Sequence, residues 1–579
     1  MSYRAPVRDL SFTLQHVAGI GRLSAGFPDL DADLIEAVLA GAADLSENVL
    51  APLNRRGDQE GARYENGRVT TPTGFPEAYR AYAEGGWNGL GAPPEAGGQG
   101  LPKALELAVA ETVHAANMGF GLCPMLTQAA IEALLAHGTE RQNRLYLPKL
   151  VSGEWTGTMN LTEPQAGTDL AAIRTRAEPL GDGAYALHGQ KIFITYGDHD
   201  WADNIVHFVL ARLPGAPEGV KGISLFLTSK REVAEDGSLG GLNQLRPASI
   251  EHKLGINASP TCVMLFEGAR AELVGDENRG LAHMFTMMNT ARLGVGVQGV
   301  AIAERAYQQA LAYALERRQG RSAWTGEAGA RIFDHPEIRR SLSLMKAKID
   351  AARAICLTAA VAADLGAFGD EREQRRYELL VPIAKAWSTD IGVETASQNI
   401  QVHGGMGFIE ETGAAQHYRD ARIAPIYEGT NAVQAFDLIG RKLSMGDGLA
   451  VRELVQDILA LEPELSTRDE LAEVAAWLRA GAVAVEQSAE WLLQRRGSPD
   501  AQAAAVPFLK LVGDVTGGWL LAKAALAAES AGGDHLRGKA PLARIYAEQV
   551  LASAPGALAA ITGGAERLRG LTPELLGAA

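Results

Sequence analysis

Between Trp155 and Glu267 the chain gives up helical spacing for short β-branched and aromatic runs: AYALHG, KIFIT, NIVHFVLAR, GISLFLTS and PTCVMLFE, separated by Gly, Asp, Asn and Pro clusters. Apolar residues recur at helical spacing on both sides of this stretch. Strand-like runs with no helix among them cannot build the alternating βαβ pattern of a doubly wound sheet. They predict an antiparallel barrel or sandwich of about 110 residues.

Before the strands, helices are predicted in DADLIEAVLAGAADLSENVLAPL and ALELAVAETVHAANMGFGLCPMLTQAAIEALLAHG, with a Gly- and Pro-rich loop at GWNGLGAPPEAGGQGLP between them. After Gly280 long helices are predicted again, and beyond Gly446 a further helical block follows the polar turn PELSTRDE. The expected fold is mainly α with a central antiparallel β domain. It divides into an N-terminal helical domain (1–158), a β-barrel or sandwich domain (159–280), a four-helix-bundle domain (281–445) and an extra C-terminal helical domain (446–579).

Composition narrows the partners. Of 579 residues 47% are hydrophobic and 21% charged, which excludes wholesale disorder. The net charge of −15 makes nucleic acid a poor partner. The cysteines Cys123, Cys262 and Cys356 are far apart and form no CxxC, so neither a zinc site nor a disulfide framework is suggested. The opening MSYRAPVRDL carries charges where a signal peptide needs an apolar run, and no membrane span is expected, so the chain reads as cytoplasmic.

Two tempting motifs carry little. Gly294, Gly296 and Gly299 satisfy GxGxxG, but the preceding MFTMMNTARL is helical rather than strand-like, so close helix packing is the better reading. His188, Asp198, His199, Asp200 and His207 show no regular ligand spacing and read as a polar strand turn, and no metal is expected.

Three stretches remain: MNLTEPQAGTDL (159–170), QVHGGMGF (401–408) and RDARIAPIYEGTNAVQ (419–434). Singly, each passes for a turn or a helix terminator. Together, and with KIFIT between them, they resemble the acyl-CoA dehydrogenase family over about residues 30–445. The opening YRAPVRDLSFTL and the added C-terminal block resemble that family's long bacterial members.

The resemblance implies FAD-dependent α,β-dehydrogenation of an acyl-CoA thioester. A carboxylate takes the α-proton, the β-hydride passes to flavin N5, and an electron-transfer flavoprotein accepts the electrons. Glu428 in IYEGT matches the family's base; at the alternative position used by some members this chain has Ala291. The thioester carbonyl would be bound by the Glu428 amide. The same comparison implies that Met159, Leu161 and Thr162 run along the flavin edge, that Phe193 and Thr195 cover the other face of the ring, and that Thr430 touches the ribityl or phosphate region. Arg317, Gln401, Gly404 and Gly405 match residues that reach the adenine and pyrophosphate from a neighbouring subunit, which implies a homo-oligomer, either dimer or tetramer. Gly320 and Arg321 stand where the family usually has Phe and Gly. For the CoA moiety Thr168, Asn289 and Arg292 match, with Asn289 replacing the usual acid. The loop 86–102 and the neighbourhood of MGFGLCPM are expected to line the acyl pocket.

Two other functions compete. An acyl-CoA oxidase shares the same half-reaction and differs in whether oxygen takes the electrons. A DNA-associated flavoprotein of the same fold would need a basic stripe, whereas residues 444–579 carry 12 basic against 17 acidic side chains.

Overall fold

Helical spacing before residue 150 becomes, among others, α1 (Lys103–Ala116) and α2 (Met118–His137) in the computed structural model, which describes residues 3–578. Asn117 caps α2 by accepting from the Phe120 amide. This block is not wholly helical. Asn66 and Gly67, both at positive φ, turn a short hairpin from Arg63–Glu65 to Arg68–Thr70, the two-residue loop that an Asn-Gly pair favours.

The strand-like stretch forms one seven-stranded sheet. Its strands are β1 (Trp155–Asn160), β2 (Arg176–Pro179), β3 (Tyr185–Thr195), β4 (Asn204–Arg212), β5 (Ile223–Ser229), β6 (Leu245–Ile250) and β7 (Thr261–Val274). Pairing runs β7–β3–β2–β4–β5 and returns to β7, which closes a barrel, with β6 added to β7 and β1 to β4. The expectation of a purely antiparallel sheet is corrected in two places: β1 runs parallel to β4 throughout, and a single parallel bridge joins Arg176 to Arg212. The long connection from residue 161 to 203 permits this pairing, because parallel neighbours cannot be joined by a tight turn. Every residue of β1 is buried, so no alternation marked it in the sequence.

Downstream, α3 (Gly280–Glu316), α4 (Pro336–Ala367) and α5 (Glu371–His403) form a long bundle, completed by a short helix Ala414–Ala421 and α6 (Asn431–Asp437). The glycines of GVGVQG lie inside α3. A Cβ on Gly296 would come within 2.8 Å of the Ala384 carbonyl oxygen, and one on Gly299 within 2.3 Å of that of Ser388. Their role is therefore to let α3 and α5 approach closely.

The C-terminal block contains α7 (Ala472–Leu493), α8 (Pro499–Ala531) and α9 (Lys539–Gln549). Its apolar stripe of Leu471, Val474 and Leu478 is buried in a core continuous with that of the bundle, and Trp477 packs on the edge of the same core. The junction is also polar. Lys539 reaches both Asp9 and Asp350 at 2.9 Å, Lys346 meets the same two carboxylates, and the Trp387 indole donates to Asp514 at 2.9 Å. Helices α2 and α8 are long and apolar enough to cross a bilayer, but most of their residues are packed inside the fold.

Candidate active site

The segment after α5 climbs back along the bundle through Ala414–Ala421 and ends in the IYEGT turn. There Glu428 adopts a left-handed φ of 56° and Gly429 follows at 85°. For glutamate this backbone is strained, and such strain persists only where the surroundings impose it. Here they do so through the Glu428 carbonyl, which accepts from Gln434 Nε2 at 3.1 Å and from Arg292 Nε at 3.4 Å. Thr430 caps α6 by accepting from the Val433 amide. Its neighbour Asn431 ties the turn to α5 through Lys385, Thr389, Asp390 and the Ala386 carbonyl. Tyr427 is bonded to Gln298, a fully buried glutamine on α3.

The Glu428 side chain itself is half-buried and takes no hydrogen bond from the described residues, nor does its backbone N–H find an acceptor among them. Burial raises its carboxyl above the usual range, against the opposing pull of Arg292 and Lys385. Burial in turn pushes Lys385 down to about 7. The arrangement is a half-buried carboxylate with no hydrogen-bond donor among the described residues, near Arg292 and Lys385.

A second group of residues lies on the barrel edge. Met159 is a buried residue near the end of β1, and Leu161 and Thr162 follow the strand. Between Lys191 and Ile194 the register of β3 against β7 slips, and this bulge puts Phe193 at a φ of 60° with its ring mostly exposed. Thr195 is half-buried, and its carbonyl accepts from the Thr158 hydroxyl at 2.7 Å. Met159, Leu161 and Tyr427 belong to one apolar cluster, so the barrel edge and the Glu428 arm meet on a shared core. Two groups on this edge are open to an isoalloxazine ring. The Thr162 amide and hydroxyl have no acceptor or donor among the described residues, and the Phe193 ring stands free of the sheet. Both fit a flat, acceptor-rich ring system.

The remaining residues separate. Arg292 is buried against the Glu428 turn, and its guanidinium lies 3.9 Å from Asp437. Asn289 is half-buried one turn earlier on α3, and Thr168 is exposed on the turn before Asp169. Arg317, Gln401, Gly404 and Gly405 are all exposed at the opposite end of the bundle, where Tyr313 stacks on His403. Helices α3 and α5 run parallel there, so roughly 25 residues separate the levels of Arg292 and Arg317, or about 37 Å at about 1.5 Å per residue.

Sequence reasoning missed Lys191, Glu163, Lys385, Gln298 and Tyr427. Nothing in the local pattern distinguishes a buried polar side chain from a solvated one.

Four family profiles match the chain in order. They are the acyl-CoA dehydrogenase N-terminal domain over 35–154, its middle domain over 158–269, its C-terminal domain over 278–443, and an acetyl-CoA dehydrogenase C-terminal-like profile over 451–572. The 3-methylmercaptopropionyl-CoA dehydrogenase of Ruegeria pomeroyi is 47% identical over 566 residues, covering 95% of this chain and 96% of that protein. Caenorhabditis elegans ACDH-11, solved in complex with C11-CoA, superposes with a TM-score of 0.79 at 24% identity over 95% of this chain and 92% of its own. A Bacillus anthracis acyl-CoA dehydrogenase complexed with FAD gives 0.76 at 22% identity over 95% and 90%. These two structures speak to the fold. With the Ruegeria relative and the profiles they lead to one conclusion: the chain belongs to the acyl-CoA dehydrogenase family and is an oxidoreductase acting on the CH–CH group of acyl-CoA thioesters.

Proposed function

We propose that the chain carries out FAD-dependent α,β-dehydrogenation of an acyl-CoA to the trans-2-enoyl-CoA, with Glu428 as the general base. The observation that carries this reading is the isolation of Glu428: a half-buried carboxylate and its own backbone N–H, neither with a hydrogen-bond partner among the described residues. A carboxyl raised by burial is a stronger base once ionised, and Arg292 and Lys385 keep the ionised form accessible. The free Glu428 amide would donate to a thioester carbonyl, where such a fixed donor is typically worth about 3–4 kcal/mol against developing enolate charge. FAD, when bound, supplies the hydride acceptor at N5 and relays the electrons to an electron-transfer flavoprotein.

Met159, Leu161, Thr162, Phe193 and Thr195 would hold the ring from the barrel side, with Thr430 near the ribityl chain. Asn289, Arg292 and Thr168 would line the path of the CoA. The distance along α3 argues that Arg317, Gln401, Gly404 and Gly405 serve the cofactor of a second copy of the chain, since one ligand cannot lie against both ends of the bundle. A homodimer or a tetramer built from such dimers satisfies this. The Ruegeria relative makes 3-methylmercaptopropionyl-CoA the first substrate to try.

The test is anaerobic bleaching of the flavin by 3-methylmercaptopropionyl-CoA and by straight-chain acyl-CoAs of increasing length, on the wild type and on Glu428→Gln. The variant is expected to keep its yellow cofactor and to lose about 10²–10⁴-fold in reduction rate. Undiminished bleaching by the variant would remove Glu428 from its role. Peroxide formed in air without an added acceptor would favour the oxidase.

A further inference from the structure

One fully buried lysine lies between the two flavin-facing stretches. Lys191, the first residue of KIFIT, has no exposed side-chain surface, and it donates to the Leu161 carbonyl at 2.9 Å and to Glu163 Oε1 at 2.8 Å. Glu163 is as deeply buried. It also accepts from the Thr175 amide at 3.0 Å, the Thr175 hydroxyl at 2.6 Å, the Arg174 amide at 2.7 Å and Gln165 at 2.6 Å. An ammonium and a carboxylate removed from water are costly to hold. The carboxylate is saturated by neutral donors even without Lys191, so holding Glu163 does not account for the lysine. Its second bond does. A trans peptide points its C=O and its N–H in opposite directions. By taking the Leu161 carbonyl, Lys191 turns the N–H of the same peptide, that of Thr162, to the opposite side, where no described residue accepts it. The next carbonyl, that of Thr162, is held by the Ile192 amide at 2.9 Å. Lys191 and Ile192 thus hold both carbonyls, and the bulge that frees Phe193 begins at the same residues.

We infer that Lys191 is a positioning residue for the flavin: anchored by Glu163, it fixes the Leu161–Thr162 peptide so that the Thr162 N–H donates to the edge of the isoalloxazine. This rests on the flavin reading above. Through that N–H the buried lysine acts on the ring's electronics without touching it, since a donor aimed at the ring favours its electron-rich, reduced form.

The experiment compares the wild type, Lys191→Met and the double variant Glu163→Gln/Lys191→Met, each purified as full-length protein. Thermal unfolding, FAD affinity by fluorescence, visible circular dichroism of the bound flavin and its reduction potential are measured. Lys191→Met is expected to lose stability, to bind FAD about tenfold or more weakly, and to show a changed flavin dichroism with a more negative potential. The double variant, free of the uncompensated buried charge, is expected to recover stability but not the dichroism or the potential. Recovery of all four properties in the double variant would overturn the inference and leave a merely structural ion pair. So would a stable single variant whose flavin is unchanged. A wild-type protein that binds no FAD would instead refute the cofactor reading itself.

Discussion

The Glu428 turn and the junction of the C-terminal block both place charge inside the protein, and they treat it in opposite ways. At the junction Asp9, Asp350, Lys346 and Lys539 close on one another, and nearby Arg353 satisfies Glu111, Glu304 and Asp350 at once. At the turn the carboxylate and its amide have no hydrogen-bond partner among the described residues, and the backbone is held in a strained conformation. Where groups are mutually satisfied the fold is being held together. Where a buried polar group is left open, water or a ligand can supply the missing partner.

The contrast is sharpest for Glu428→Gln. Alongside its loss of about 10²–10⁴-fold in flavin reduction, the variant should melt no lower than the wild type, because a carboxyl raised by burial costs the fold stability when ionised. A fall of several degrees in its melting temperature would show that Glu428 is structural after all. Lys539→Met is the opposite case. Removing one partner from a buried charge cluster costs about 3–5 kcal/mol, so unfolding should shift strongly while the bleaching rate per bound flavin stays as in the wild type. Differential scanning calorimetry and stopped-flow bleaching together decide this.

Acid should separate the two regions as well. Burial works to raise Asp350, but Lys346 and Lys539 hold it below the usual carboxylate range, and the same two lysines hold Asp9 well below that range too. Lowered carboxyls contribute stability that is present above the unfolded value, near about 3.9, and is lost as pH falls through the folded one. Glu428 is shifted upward, so its base form is lost at a higher pH. A window is therefore expected in which the protein is folded yet slow to reduce its flavin, measured by bleaching and far-ultraviolet circular dichroism on the same samples. Unfolding that coincides with the loss of bleaching would remove the distinction. The smallest effect is expected for Trp387→Phe, which gives up the bond to Asp514 and should cost about 1–2 kcal/mol in denaturant unfolding with no change in rate.

Much of this was legible before any coordinate. Spacing of apolar residues encodes local geometry, so the helical blocks, the strand-rich middle and the packing role of Gly296 and Gly299 follow from neighbours a few positions apart. The motif set around Thr162, Gln401 and Glu428 identified the family from residue types alone. Less legible were the parallel pairing of β1, which is buried on both faces and shows no alternation, and the bulge at Phe193, which depends on the register of β3 against β7.

What only the tertiary structure decided is where charge ends up. Lys191 and Glu163 are 28 residues apart and Lys539 and Asp350 are 189 apart, yet each pair is buried in contact. A lysine in a sequence looks the same whether it is solvated or sealed in a core. The chain by itself determined which elements form and which chemistry they resemble. The assembled fold chose which carboxylate is left unpaired, turned Arg292 inward, and set Arg317 and Gly404 at the far end of the bundle from Glu428, because desolvation and pairing depend on contacts between distant segments.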